Sequence, residues 1–220
     1  QVSSGEWHSC VILDDASVEC WGRNSDGQLG DGTNIDRNSP ISVGLGGQKA
    51  IAISAGSSHT CAVLNDWSLR CWGANGNGQL GIGNTDSDSS PQTVNAGGNV
   101  VAVSAGGAHT CALLEDGDLK CWGDNSNGQL GDSGVNQQDD ANTVGNTLVG
   151  ITSVDAGADH TCAIDSSNGL HCWGDSSEGQ VGDGSSSAQV NPSIQVSLGQ
   201  NLGALSVASG SSHTCVVATN

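Results

Sequence analysis

Residues 109–123 read HTCALLEDGDLKCWG, with two cysteines ten residues apart astride an acidic, Gly-containing turn. The pattern recurs: HSCVILDDASVECWG from His8, HTCAVLNDWSLRCWG from His59 and HTCAIDSSNGLHCWG from His160, with a shorter copy, HTCVVATN, from His213. A motif repeated with constant internal spacing folds into a repeated supersecondary unit, which excludes most single-core architectures at once. The glycines ahead of each His, Gly5, Gly56, Gly106, Gly157 and Gly210, are spaced by 51, 50, 51 and 53 residues.

Each period carries the same parts in the same order. The Cys pair and Cys-Trp-Gly come first. A Gly-rich loop follows: GRNSDGQLGDG from Gly22, GANGNGQLGIG from Gly73, GDNSNGQLGDSG from Gly123 and GDSSEGQVGDG from Gly174. A polar stretch comes next, with Pro40, Pro91 and Pro192 in three of the four units. The period closes on AIAISAG, VVAVSAG, ITSVDAG or LSVASG. In these closing segments apolar residues alternate with small or polar ones over four to seven residues bounded by Gly, the signature of strands. No amphipathic helical pattern stands out. Four short strands per unit of about fifty residues fit β-propeller blades. The chain reads as one all-β repeat region over 1–220, with units at about 5–55, 56–105, 106–156 and 157–209 and a partial unit at 210–220.

The register of the hairpin follows from the cysteines. With Cys111 opposite Cys121, Leu113 faces Leu119, Leu114 faces Asp118, and Glu115-Asp116-Gly117 form a three-residue loop. Gly117 suits the left-handed third position, and Asn168 tolerates it in the fourth unit. Ala16 and Trp67 suit it less, so those two turns are expected to differ. Directly opposed Cα atoms lie within disulfide range. Cys10–Cys20, Cys61–Cys71, Cys111–Cys121 and Cys162–Cys172 are therefore expected as cross-strand bridges, with Cys215 unpaired. Such bridges persist in oxidising surroundings, which points to an extracellular or cell-surface protein. Zinc is the rival reading of paired cysteines, but its sites favour two to four intervening residues and converging pairs, whereas nine intervene here.

Composition limits the core and the partners. There are six Trp but no Phe, Tyr or Met, so the core must come from Val, Ile, Leu, Ala, Trp and Cys. Formal net charge is −18, with five Lys and Arg in all. Five scattered cations make no phosphate-binding footprint, which argues against nucleic acid, and the acidic balance disfavours anionic lipid. No apolar run approaches the roughly 20 residues of a transmembrane helix, and no membrane insertion is expected.

The HTC…DG…CWGxNxxGQLGxG pattern resembles the repeat of the regulator of chromosome condensation family over essentially the whole chain. The resemblance implies a β-propeller of four-stranded blades, usually seven, in which the recurring Gly, His and Trp are mainly architectural. The Cys pairs match extracellular members better than nuclear ones. Known roles in the family range from nucleotide exchange on a nuclear-transport GTPase, through ultraviolet-B sensing by clustered Trp, to enzyme inhibition, and fold alone does not choose among them. The chain departs from the family in number: five segments of the HTC or HSC type stand against four CWG segments, and the register puts a partner for Cys215 five residues past Asn220. Roughly 350 residues would be needed for seven blades at this spacing. The expectation is a portion of a seven-bladed ring, or an open repeat array that continues into another copy.

Candidate sites follow the same repetition. His8, His59, His109, His160 and His213 occupy one recurring position, which argues for a hydrogen-bonding role rather than catalysis. His171 lies outside the pattern and is expected on the surface. Trp21, Trp72, Trp122 and Trp173 are expected in the core, and Trp7 and Trp67 on the surface as contact residues. Gly131-Asp132-Ser133-Gly134 is similar to a serine-protease nucleophile loop, but it stands where other units read GDG or GIG and has no triad partners. The loop acids Asp26, Asp31, Asp124, Asp175, Glu178 and Asp183, with Asn24, are oxygens of the kind calcium favours. No loop has the D-x-[DN]-x-[DN]-G spacing, however, and Asx turns explain the same composition. No cofactor is expected, with calcium the one alternative kept. Asn191-Pro192-Ser193 is an acceptor sequence disabled by its proline. These readings converge on a non-enzymatic extracellular or cell-surface module that binds a protein or glycan, or assembles with its own copies. A secreted enzyme inhibitor and a guanine-nucleotide exchange factor-like regulator are the alternatives.

Overall fold

The computed structural model describes residues 1–141, 148–188, 195–199 and 202–219. Pro192, and with it Asn191-Pro192-Ser193, lies outside the described residues. The described residues form β-strands and turns throughout, without α-helix.

The first unit is a four-stranded antiparallel sheet in simple order: β1 (Val2–Ser4), β2 (His8–Ile12), β3 (Val18–Gly22) and β4 (Arg37–Ser42). The second repeats it with β5 (Ala50–Ala55), β6 (His59–Leu64), β7 (Leu69–Gly73) and β8 (Asp88–Val94). Pro40 and Pro91 fall in β4 and β8, the outer strands, where a missing N–H removes no ladder bond on the solvent side. The third unit has β9 (Val100–Ala105), β10 (His109–Leu114) and β11 (Leu119–Gly123), and the fourth has β12 (Ile151–Ala156), β13 (His160–Asp165) and β14 (Leu170–Gly174). In these two units single bridges, Gly123–Gln138 and His171–Gln195, stand in place of the outer strand among the described residues. The last unit is a two-stranded sheet, β15 (Ala204–Ser209) and β16 (Thr214–Ala218).

Residues from all five units line one shallow trough: Gly5, Gly56, Gly106, Gly157 and Gly210 with their neighbours. The first strand of each unit is therefore innermost, and the units fan around a common axis. They form an arc; the ring is not closed.

The core lies between units rather than within one. Cys10, Val18 and Leu29 of the first unit pack with Ile53, Leu64 and Trp72 of the second. Leu80 and Val94 pack with Ala112 and Trp122, and Leu119 and Leu130 with Ile151 and Trp173. Both faces of β6 and β10 are covered by neighbouring units, and these strands are buried at every position. At about 1.5–3 kcal/mol per buried large side chain, these seams hold the arc together without Phe, Tyr or Met.

The hairpins have the expected register, Cys111 opposite Cys121 and its equivalents in the other three units. Disulfides join Cys10–Cys20, Cys61–Cys71, Cys111–Cys121 and Cys162–Cys172, each with Cα atoms 4.1 Å apart. Cys215 is free and exposed. The turns at Ala16 and Trp67 do not differ from the others, contrary to expectation. Both residues adopt the left-handed conformation, φ 63° and 64°, like Asn168 at 64° and Gly117 at 88°. The paired strands fix the loop at three residues, so the third must turn left-handed whatever its side chain. Asp15 and Asp66 stabilise the turn by accepting from the Ser17 and Ser68 N–H groups.

Each disulfide closes a short loop whose entropy cost in the unfolded chain is about 2–3 kcal/mol. Replacing the third pair by Cys111→Ala with Cys121→Ala is expected to lower unfolding free energy by about that amount. Urea unfolding at pH 7 checks this, and an unchanged midpoint would show that the strands need no staple.

Candidate functional site

The recurring His, Thr, Gln and Trp meet at each seam. His8 Nε2 lies 2.8 Å from Thr60 Oγ1 of the next unit, and His59, His109 and His160 repeat the contact with Thr110, Thr161 and Thr214 at 2.9 Å. Each threonine hydroxyl donates in turn to a backbone carbonyl of the preceding unit's Gly-rich loop: Gln28, Gln79, Gln129 and Gln180, all at 2.8 Å. A hydroxyl that donates its one proton must accept from the imidazole, so each His carries its proton on Nε2. The same carbonyls accept the indole N–H of the next unit's tryptophan: Trp72 to Gln28 at 2.9 Å, Trp122 to Gln79 at 3.0 Å and Trp173 to Gln129 at 2.8 Å. One carbonyl, two donors and an imidazole thus clasp each neighbouring pair among the first four units, and the fourth and fifth share the threonine and imidazole part.

Two glycines per unit make room for the clasp. A Cβ on Gly106 would lie 2.4 Å from His109 Cε1 and 2.5 Å from the Gly157 carbonyl. A Cβ on Gly81 would lie 2.4 Å from Trp122 Nε1. The imidazole Nδ1 atoms of His8, His59, His109 and His160 are buried without a hydrogen-bond partner, and burial holds these rings neutral. Desolvation pushes the His8, His109 and His160 pKa down to about 4 and that of His59 to about 3, where the neighbouring His109 and His8 add to the effect. The recurring His are therefore seam residues. His213 is an exception: it is exposed, because no further unit covers it among the described residues. Trp21 is likewise half-buried on the first unit's open side, whereas Trp72, Trp122 and Trp173 are fully buried.

A second, inner ladder ties the first strands together. Ser3, Ser54 and Ser104 accept from the N–H groups of Ala55, Ala105 and Ala156. Asp155 takes this place in the fourth unit and accepts from Ser209 N–H. Burial pushes its carboxyl pKa up.

His171 is buried, not exposed as its place outside the pattern suggested. Its Nε2 lies 2.9 Å from Asp165 Oδ2, so a hairpin carboxylate draws the ring inward.

The Gly-rich loops hang on residues not singled out from the sequence for this role. Asn24, Asn75 and Asn125 are fully buried. Their Oδ1 atoms accept from the N–H of Leu29, Leu80 and Leu130, and their Nδ2 groups donate back into the loop. The signal was present: each Asn stands four residues before the clasp Gln. Gln129 and Gln180 Nε2 donate to Asp124 and Asp175, but Gln28 Nε2 is buried with no partner. Arg23 occupies the acceptor's place there. In the GDSG segment Asp132 accepts from Asn125 Nδ2 and Gly134 N–H, which makes it part of the same loop scaffold.

The loop end of the units carries the exposed chemistry. Trp7 is 59% exposed, and its carbonyl accepts from Arg23 N–H. The position of Trp7 is taken by Ser58, Ala108, Asp159 and Ser212 in later units, and that of Arg23 by Ala74, Asp124 and Asp175. Asp159 is half-buried beside Asp124 and Asp175; burial and their negative charges push its pKa up. This face passes from an aromatic and a cation on the first unit to three neighbouring carboxylates on the third and fourth. Trp67, 44% exposed, sits on a hairpin tip at the opposite end of the strands. Among the described residues no group of three or more His, Cys, Asp or Glu is arranged to hold a metal ion.

Two family models described as "Regulator of chromosome condensation (RCC1) repeat" match the chain. One covers residues 1–28, 50–79, 100–129 and 151–180, the other 17–63, 70–113 and 167–217. The chain is similar to the ultraviolet-B receptor UVR8 of Arabidopsis thaliana, 37% identical over 97 residues, which are 44% of this chain and 22% of that protein. Human WBSCR16 superposes on all of this chain and 57% of its own with a TM-score of 0.88 at 25% identity. Prp20p of Saccharomyces cerevisiae does so over all of this chain and 55% of its own, at 0.86 and 22% identity, a likeness of fold alone. The chain thus spans little more than half of these solved chains and about a fifth of the plant receptor.

The buried imidazoles make stability pH-dependent. With pKa values lowered from 6.5 to about 3–4, the four rings bind fewer protons folded than unfolded, so their contribution is full above about pH 6.5 and declines as pH falls towards 4. The raised Asp155 and Asp159 act in the opposite sense, but as two groups against four. The urea midpoint is expected to be lower at pH 5 than at pH 7; a flat profile would mean that the rings are not held neutral. Arg23→Asp is expected to supply the acceptor that Gln28 Nε2 lacks, as Asp124 does for Gln129, and to raise stability by about 1 kcal/mol. The test is urea unfolding in high salt, which screens the added negative charge.

Proposed function

Since the chain belongs to the regulator of chromosome condensation repeat family, we propose that it is a non-enzymatic β-propeller module that acts outside the cell or on its surface and binds a protein partner through its loop face. The observation that carries the reading is the set of four cross-strand disulfides, one in every complete hairpin. Bridges of this kind persist in oxidising compartments. The binding assignment draws on Trp7, a large aromatic held in the open beside Arg23 on the end that also carries Asp124, Asp159 and Asp175. Aromatic and Arg anchors in a polar surround are the usual composition of protein interfaces. A partner with a cationic patch suits the acidic side of this face.

A second reading, an exchange-factor-like regulator, draws on the likeness to Prp20p, whose structure was described with its binding to Gsp1p and histones. The cysteine pairing favours the first, because a nuclear compartment keeps thiols reduced.

Thiol counting on protein isolated from its natural source separates the two. Cys10, Cys20, Cys61, Cys71, Cys111, Cys121, Cys162 and Cys172 are expected to be oxidised, and free thiols at all eight would overturn the extracellular reading. Capture of partners from the surrounding fluid then tests the face. Trp7→Ala is expected to weaken a captured complex at least tenfold without shifting the urea midpoint, whereas Trp67→Ala, at the other end, leaves it unchanged. Equal binding by the Trp7→Ala protein would place the contact elsewhere.

A further inference from the structure

We infer that the Gly-rich loop of the first unit carries a seat for a carboxylate, formed by Arg23, Ser25 and Gln28, and that the group it takes is an Asp or Glu side chain of a protein partner. The same molecule shows twice what such a seat holds.

In the third unit the Asp124 carboxylate accepts from Ser126 N–H at 3.2 Å, from Ser126 Oγ at 3.0 Å and from Gln129 Nε2 at 3.0 Å. In the fourth, Asp175 accepts from Ser177 N–H, Ser177 Oγ and Gln180 Nε2 at 3.0, 2.9 and 2.8 Å. The first unit keeps the serine and the glutamine at the same spacing, as Ser25 and Gln28, but puts Arg23 where the aspartate stands. The donors are present, and a cation replaces their built-in acceptor. Gln28 is fully buried, and its Nε2 has no partner. The orientation of that amide is fixed, because its Oε1 accepts from Asp26 N–H at 3.0 Å, as Gln129 and Gln180 accept from Asn127 and Glu178. Ser25 N–H also has no acceptor among the described residues. Ser25 Oγ accepts from Arg23 Nε at 2.8 Å and donates to Asp26 at 2.9 Å. A buried donor left unmet is costly, and a guanidinium has no acceptor atom with which to relieve it. An anion meets both the donors and the cation.

The seat is reachable. Asp124 and Asp175 are half-buried in theirs, and Arg23 is exposed. The loop faces the second unit, whose Thr60 and Trp72 hold the Gln28 carbonyl, so both sides of the seat are in place. Asp159, a carboxylate beside Asp124 in the third seam, has Ser58 as its counterpart here. A planar carboxylate matches the guanidinium fork, and it is the group that the Ser and Gln donors hold in the two filled seats. The second unit is a blank, with Ala74 and Gly76 in place of the Asp and Ser. The choice of a partner's side chain over a free small carboxylate rests on the loop-face reading above, since Arg23 is joined there to Trp7.

The test is nitrogen–proton NMR of the whole chain at pH 7 and fixed ionic strength, titrated with aspartate capped as its N-acetyl, N-methylamide derivative. Saturable shifts are expected at the Gln28 side-chain amide and at Ser25 N–H, and none with the neutral asparagine analogue. Arg23→Asp puts the aspartate of the other units into the seat, and is expected to weaken binding at least about tenfold while leaving the spectrum that of a folded chain. No shifts, an equal response to the asparagine analogue, or unchanged affinity in the Arg23→Asp chain would overturn the seat. Arg23→Asp is also expected to weaken a captured partner complex at least about tenfold, and an unchanged complex would overturn the assignment to a partner's side chain. The seat and the loop-face reading fail separately. Binding of the capped aspartate, with a partner complex indifferent to Trp7→Ala, supports the seat and contradicts the Trp7 contact. Capture that depends on Trp7, with no response to the capped aspartate, contradicts the seat and leaves the loop face standing.

Discussion

One backbone carbonyl per unit organises this molecule. The Gln carbonyl in each Gly-rich loop accepts from a threonine hydroxyl and, in the three complete seams, from a tryptophan indole of the next unit, while the preceding unit's histidine holds the threonine. The arrangement satisfies buried donors across an interface that is otherwise apolar, where an unpaired polar group costs about 1–3 kcal/mol. It also dictates sequence. The threonine needs its hydroxyl to pass one bond on and receive another, the tryptophan needs a ring wide enough to fill the seam, and the glycines beneath both rings need to lack a Cβ. The motif that recurs along the chain is the written form of this clasp.

The division of labour within a unit follows. Disulfides fix the central hairpin, the inner Ser ladder joins first strands, and buried Asn residues shape the loops that carry the clasp carbonyl. These parts are structural, and they leave the loop end free to vary from unit to unit. Variation is visible there: Arg23 and Trp7 stand on the first unit where Asp175 and Asp159 stand on the fourth. Repeated scaffold positions and unrepeated exposed positions are separate populations of residues, and binding is assigned to the second.

Much of the fold was legible before any coordinates. The ten-residue Cys spacing set the hairpin register, and the fifty-residue period set the unit. What escaped had physical reasons. The clasp acceptor is a main-chain atom, so no side-chain type announces it; Gln28 is conspicuous in the motif, but its carbonyl does the joining. The turns at Ala16 and Trp67 were misjudged because local preference was weighed without the strand pairing that overrides it. His171 was placed outside because its carboxylate partner, Asp165, becomes a neighbour only once the hairpin closes. His213 and Trp21 belong to the right pattern, but burial is a property of two adjoining units and is absent where one side is open.

The clasp makes a specific demand on proton position, and nitrogen NMR of the imidazoles reads it directly. The account predicts that His8, His59, His109 and His160 are neutral at pH 6 with the proton on Nε2, giving four rings with protonated-type Nε2 and bare-type Nδ1 shifts. Rings found as imidazolium at that pH, or carrying the proton on Nδ1, would mean that the threonine hydroxyl does not accept from histidine and that the units are held together some other way.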